Sequence, residues 1–123
     1  LASEDRGPGN WNIQLEQGET WTRTATETDS DGAAVDLSGY TIVRMQIRPT
    51  KDSSTVLVEL TNANSRIDLT NKATGIIVFS LSATVTAALN FSTAYHDIEL
   101  EDASGNIRKW MYGTVTLNKE VTR

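Results

Sequence analysis

Polar and apolar residues alternate in short runs along most of this chain, and each run is closed by Gly, Pro, Asn, Asp or Ser. Alternation with a period of two sends successive side chains to opposite sides of a pleated backbone, so each run predicts a strand with one buried face. Trp11-Asn12-Ile13-Gln14-Leu15 is the first. Across residues 20–28 every even position is Thr, which predicts a β-branched ladder on the solvent side of a second strand. Residues 40–48 predict a strand with Val43, Met45 and Ile47 on one face and Arg44, Gln46 and Arg48 on the other, stopped by Pro49. Shorter strands follow at 55–60 and 66–69, and residues 76–81 are apolar on both faces, as a central strand would be. Residues 82–89 form the one plausible helix, a short turn capped by Ser82.

The C-terminal third predicts a hairpin. Residues 94–101 place His96, Ile98 and Leu100 inward and Asp97, Glu99 and Glu101 outward; Asp102-Ala103-Ser104-Gly105-Asn106 turns the chain into a last strand, 107–117. In that strand Ile107, Lys109, Met111, Gly113, Val115 and Leu117 share one parity, and Arg108, Trp110, Tyr112, Thr114 and Thr116 the other. About eight or nine short strands with turn signals at regular spacing predict an all-β sandwich or small barrel. Residues 1–10 have no periodicity and read as a flexible N-terminal arm, leaving 11–123 as the sandwich domain.

Composition narrows the function. The 123 residues suit a single domain. A net charge of −5 argues against nucleic acid as partner, since gripping phosphates needs clustered Lys and Arg. The apolar run Ile76-Ile77-Val78-Phe79 is far short of the ~20 residues of a spanning helix, so no membrane partner is expected. Without cysteine there is no disulfide or thiolate chemistry, and the redox compartment stays open. The chain starts at Leu1 with no charged-then-apolar leader, which reads as a processed or trimmed start without a secretory signal.

Candidate chemistry is sparse. His96 is the only histidine, and Asp97 beside it points to the other face, so a packed histidine is expected rather than a catalytic one. Asp29-Ser30-Asp31-Gly32 opens like a calcium loop, but Ala33-Ala34-Val35 follows where further oxygens would be needed; a hairpin turn is expected and no metal. The row Asp97, Glu99, Glu101 reads as a solvated or partner-facing edge, which lysines or arginines of a neighbour could complement. Trp110 and Tyr112, with Arg108 on the same side, read either as part of a strand buried on both faces or as aromatic anchors of a candidate protein interface; on the second reading, substituting Trp110 is expected to weaken assembly and leave the fold intact. No catalytic residue, cofactor or enzyme activity is expected.

A collinear set of short pieces carries a resemblance. Gln17-Gly18 with Trp21, Asp29-Ser30-Asp31-Gly32, Val35-Asp36-Leu37-Ser38-Gly39-Tyr40, Met45-Gln46-Ile47-Arg48, Ser54-Thr55-Val56-Leu57, Asp97-Ile98-Glu99-Leu100, Gly113-Thr114-Val115-Thr116 and Glu120-Val121-Thr122-Arg123 occur in this order. Together they resemble a family of small phage and prophage structural proteins encoded among tail genes, similar in implied fold to the immunoglobulin-like N-terminal domain of the baseplate upper protein of lactococcal phages. The chain departs from that pattern at His96, where members often carry Tyr, and at Arg23, Ala25 and Glu27, where they carry large apolar residues. The resemblance implies an immunoglobulin-like β-sandwich of short antiparallel strands. It also implies a non-enzymatic virion protein, made in the host cytoplasm and built into the tail, baseplate or fibre-attachment region by contacts with its own copies and other virion proteins. The alternatives are a head decoration or head-to-tail adaptor protein, and an adhesion module stacking host-surface glycan on Trp11, Trp21 or Trp110.

Overall fold

The alternating runs become strands wherever one face can be buried, and the turn residues set where each ends. The computed structural model describes residues 9–122. Its strands are β1 (Gly9–Asn10), β2 (Ile13–Glu16), β3 (Trp21–Thr26), β4 (Tyr40–Arg48), β5 (Val58–Thr61), β6 (Ile67–Asp68), β7 (Ile76–Leu81), β8 (Thr93–Asp102) and β9 (Ile107–Asn118). One helix, α1 (Ala83–Ala88), lies between β7 and β8. The Ser82 hydroxyl caps it, accepting from the Val85 amide at 3.3 Å. The Asp29 carboxylate accepts from the amides of Asp31 and Ala33 at 2.9 and 3.0 Å, and Gly32 takes φ 83°, so this segment is the expected turn.

The strands form two sheets that pack as a β-sandwich, in keeping with the all-β expectation. The larger runs β1-β9-β8-β4-β5, with β2 also on β9; the smaller runs β3-β7-β6. Between them lie Leu15, Leu37, Val43, Met45, Ile47, Leu60, Ile77, Phe79, Ile98, Leu100 and Val115, all fully buried. On β4 and β8 the alternation maps directly onto this core: Val43, Met45 and Ile47, and His96, Ile98 and Leu100, point in.

The N-terminal segment differs from the expected all-antiparallel pairing. β1 and β2 run parallel to β9, with Gly9 opposite Met111 and Ile13 opposite Val115. Gly9 and Asn10, assigned to the arm from sequence, are therefore paired in the sheet; residues 1–8 lie outside the described residues. Between β1 and β2 the chain crosses tightly over Gly113. The Trp11 amide donates to the Tyr112 carbonyl at 2.8 Å, and the Asn12 side chain accepts from the Thr114 amide at 3.1 Å.

A second difference lies in the β8–β9 hairpin. Ile98 pairs with Met111 but Glu99 pairs with Lys109, so Trp110 is an extra residue in β9, a β-bulge. A bulge resets which side chains face the core, so the single parity expected for 107–117 is broken. Arg108 and Trp110 turn inward before it and Gly113, Val115 and Leu117 after it, while Lys109 and Tyr112 are left outside.

Gly113 has a testable consequence. A Cβ there would lie 2.2 Å from the Trp11 carbonyl oxygen, backbone that cannot step aside without unseating β1 and β2. Gly113→Ala is expected to cost roughly 1–3 kcal/mol in urea unfolding and to open the N-terminal strands to limited proteolysis. Gly39→Ala, where a Cβ meets nothing within 4 Å, is the matched control and should leave the strands protected.

Candidate functional site

The outer face of the large sheet carries a polar groove of about 450 Å³, which Arg44, Gln46, Arg48, Tyr95, Asp97, Glu99, Lys109 and Tyr112 line with Lys51 and His96. Strand register builds it. Across β4, β8 and β9 one row reads Arg44, Glu99, Lys109, and the next reads Gln46, Asp97, Tyr112. Arg48 pairs opposite Tyr95 at the groove's end. All of these except the bulged strand's members have the outward parity that alternation predicts.

The acidic row, expected to face solvent or a partner, finds cations within the chain. Lys109 Nζ reaches Asp97 Oδ2 at 3.0 Å and also bonds Glu99. Arg44 lies 3.4 Å from Glu99 and 2.9 Å from Glu101. Opposite charges facing each other across adjacent strands explain why three carboxylates tolerate one face. The Lys109 ammonium, aided by Arg44, holds the Glu99 carboxyl below its ordinary 4.5 against the opposing effect of partial burial. Gln46 donates to Glu59 at 2.6 Å and accepts from Arg48 at 2.7 Å, and Arg48 also donates to the Ser53 carbonyl at 2.7 Å. Arg48 is thus anchored by neutral acceptors.

Two of the expected interface residues are turned into the protein. Trp110 is 4% exposed and its ring lies 6.4 Å from that of Phe79, because the bulge rotates it into the core; it offers almost no surface to a partner. Arg108 makes a two-pronged ion pair with Glu27, at 2.8 and 3.0 Å, that bridges from β9 to the end of β3 in the other sheet. Glu27 is 7% exposed, so the acid that replaces an apolar residue of the resembled pattern is matched by the partly buried guanidinium of Arg108. Tyr112 remains as the exposed aromatic. Of the tryptophans considered for glycan stacking, Trp21 and Trp110 are buried, and Trp11 is half-buried against Trp21, Phe79 and His96.

His96 is packed, as expected. Its Nε2 lies 2.6 Å from the Trp11 carbonyl oxygen, so that nitrogen carries the proton and the other is the bare acceptor. Burial pushes the imidazole below its ordinary 6.5, opposed by the Trp11 carbonyl and Asp97, each of which favours the charged form. His96 thereby serves as a neutral strut under the crossing segment. Tyr95 and Lys51, which the sequence reading did not single out, join the groove; Tyr95 shares the outward parity of Asp97, but the loop placing Lys51 above it left no periodic signal. Among the described residues no group of three or more His, Cys, Asp or Glu is placed to hold a metal ion, and no helix is long and apolar enough to cross a membrane.

No family model matches the chain, and no curated protein does. Among solved structures, the fold is similar to part of the X-ray structure of the endo-beta-1,4-mannanase from Thermotoga petrophila, with a TM-score of 0.50 and 15% sequence identity. The match covers 88% of this chain and 18% of that one, so the chain spans less than a fifth of the enzyme's length. At that identity the likeness is one of fold.

Removing the Trp110 ring leaves a void beside Phe79, so Trp110→Ala is expected to cost roughly 3–5 kcal/mol in chemical denaturation, whatever it does to assembly. For His96 the sign follows from the depressed folded value. The folded state resists protonation, so its contribution is intact above 6.5 and is lost as pH falls from there through the folded value. Stability measured by denaturation from pH 7 downward should begin to fall below 6.5, and His96→Gln, which keeps a donor for the Trp11 carbonyl, should flatten that slope. An unchanged slope in the variant would assign the pH dependence to other groups.

Proposed function

We propose that this chain is a structural module of a phage virion, working in the tail, baseplate or fibre-attachment region through static contacts with its own copies and other virion proteins. The observation that carries the contact mechanism is the open edge of β3. Among the described residues this strand pairs only with β7, and it spans Trp21–Thr26. Because the Ser80 amide bonds toward β6, the β3 residue opposite it, Thr22, turns its backbone groups away from β7, and Thr24 and Thr26 do so with it. The other edges are shorter: β6 has two residues and β2 four. On β5 the Glu59 carbonyl is covered by Asn64 and Arg66 at 3.0 and 2.9 Å. On β3 the Arg23 side chain takes the Thr22 carbonyl at 2.8 Å, which leaves the outward groups of Thr24 and Thr26 as a template for a strand from a neighbour, and a repeated assembly multiplies each such contact.

The collinear pieces of the family resemblance support the tail region as the setting. Several build the sandwich itself: Asp29-Ser30-Asp31-Gly32 is a turn, Met45-Gln46-Ile47-Arg48 lies in β4, and Asp97-Ile98-Glu99-Leu100 lies in β8. A rigid block with one open edge is what a tiled assembly requires.

Immunogold labelling of intact phage particles with an antibody to this chain tests the location. Label on the tail, baseplate or fibre attachment is expected; label on the head would move the protein to a decoration or adaptor role, and its absence on particles with exposed epitopes would remove it from the virion surface. The edge has its own test in Thr24→Pro. Proline deletes an amide that faces away from β7, a position an edge strand tolerates. The variant should remain folded by circular dichroism and lose multimers in analytical ultracentrifugation, whereas unchanged multimers would exclude β3 as the joining edge.

A further inference from the structure

Charge in the outer groove is unevenly matched. Four cations, Arg44, Arg48, Lys51 and Lys109, line it against two carboxylates, Asp97 and Glu99, although the chain as a whole carries −5. Arg44 and Lys109 are spent in the ion-paired rows. Arg48 and Lys51 are different: Arg48 hydrogen-bonds only the neutral Gln46 and Ser53 oxygens, and the Lys51 ammonium sits 6.0 Å over the ring centroid of Tyr95. Among the described residues neither has a carboxylate within ion-pair distance. The Arg48 guanidinium is held in place by its two anchors, so a ligand would not bear the full cost of ordering it.

Tyr112 supplies the second element. It sits opposite Asp97 in the β8–β9 ladder, diagonal to Tyr95, and is 41% exposed. The groove thus presents an uncovered aromatic ring, a central row of hydrogen-bonding groups already oriented by one another, and an end with two cations unmatched by carboxylate. An aromatic face suits the apolar C–H face of a sugar ring, fixed polar groups suit its hydroxyls, and the free cations suit a negative substituent. The volume of about 450 Å³ lies within the range of small-molecule sites and would take one or two such rings.

We infer that this groove binds an anionic saccharide, with Tyr112 against a sugar ring and Arg48 and Lys51 on its carboxylate or phosphate. The site is independent of the assembly reading, since the groove opens on the outer face of the large sheet and the joining edge, β3, belongs to the small one. Loss of multimers in Thr24→Pro leaves the groove intact, and loss of ligand leaves the edge intact, so the two readings fail separately.

Isothermal titration of the full chain tests the site with three probes: a galacturonate oligomer, a phosphate-esterified mannose oligomer and an uncharged galactose oligomer of the same length. One or both anionic probes should bind, about tenfold or more tighter than the uncharged one, and affinity should fall as salt rises. Which anionic probe binds tells carboxylate from phosphate. Tyr112→Ala and Lys51→Gln, both at exposed side chains, should each weaken binding about tenfold while melting as the parent does. Binding of neither anionic probe, equal binding of the uncharged one, or affinity unchanged in both variants would overturn the assignment. So would tighter binding of a single-stranded oligonucleotide of equal charge, which would make the groove a nucleic-acid site.

Discussion

Between Ile98 and Glu99 the ladder from β8 to β9 shifts by one residue, and Trp110 is the residue gained. Without that bulge a single parity would run through β9, and Trp110 and Tyr112 would share a side. With it, Trp110 packs on Phe79 at the centre of the sandwich and Tyr112 faces solvent over the groove. The same step brings Arg108 inward to Glu27 and leaves Lys109 outward between Asp97 and Glu99. Core, inter-sheet clamp and surface rows therefore all depend on one local insertion in a strand.

The two sides of the large sheet handle charge in different ways. Outside, ion pairs are partly exposed, individually worth about 0–1 kcal/mol, and act mainly to hold side chains in fixed positions. Inside, the Arg108–Glu27 pair is bidentate and largely shielded, so removing Arg108 would strand the buried Glu27 carboxylate. It fastens β9 to the end of β3 and so ties the sheets together beyond what the apolar core does. His96 works on the same principle with a neutral group: its single hydrogen bond to Trp11 anchors the crossing from β1 to β2, and Gly113 leaves the room for that crossing.

The two sheets differ in what their edges and faces expose. The small sheet ends in β3, the longest edge strand among the described residues, with the backbone groups of Thr22, Thr24 and Thr26 turned outward. The large sheet has its N-terminal edge occupied by β1 and β2 and its β5 edge covered by Asn64 and Arg66, and it presents instead a broad outer face. Concavity, aromatic surface and unmatched cations occur together on that face, where side chains, rather than backbone, are on offer to a ligand.

Alternation in the sequence determined the strands β4 and β8, their inward and outward sets, the turns at Asp29 and Asp102, and the Ser82 cap, because each rests on residues within one strand or turn of each other. The outward carboxylates and the inward His96 were legible for that reason. Tertiary structure alone decided the bulge at Trp110, the parallel course of β1 and β2, and every pairing that joins distant residues. His96 and Trp11 are 85 positions apart, Arg108 and Glu27 are 81, and Arg44 and Glu101 are 57. A period of two fixes which way a side chain leaves its own strand; the direction and register of the neighbouring strand depend on how two folded surfaces fit, and no local pattern encodes that fit.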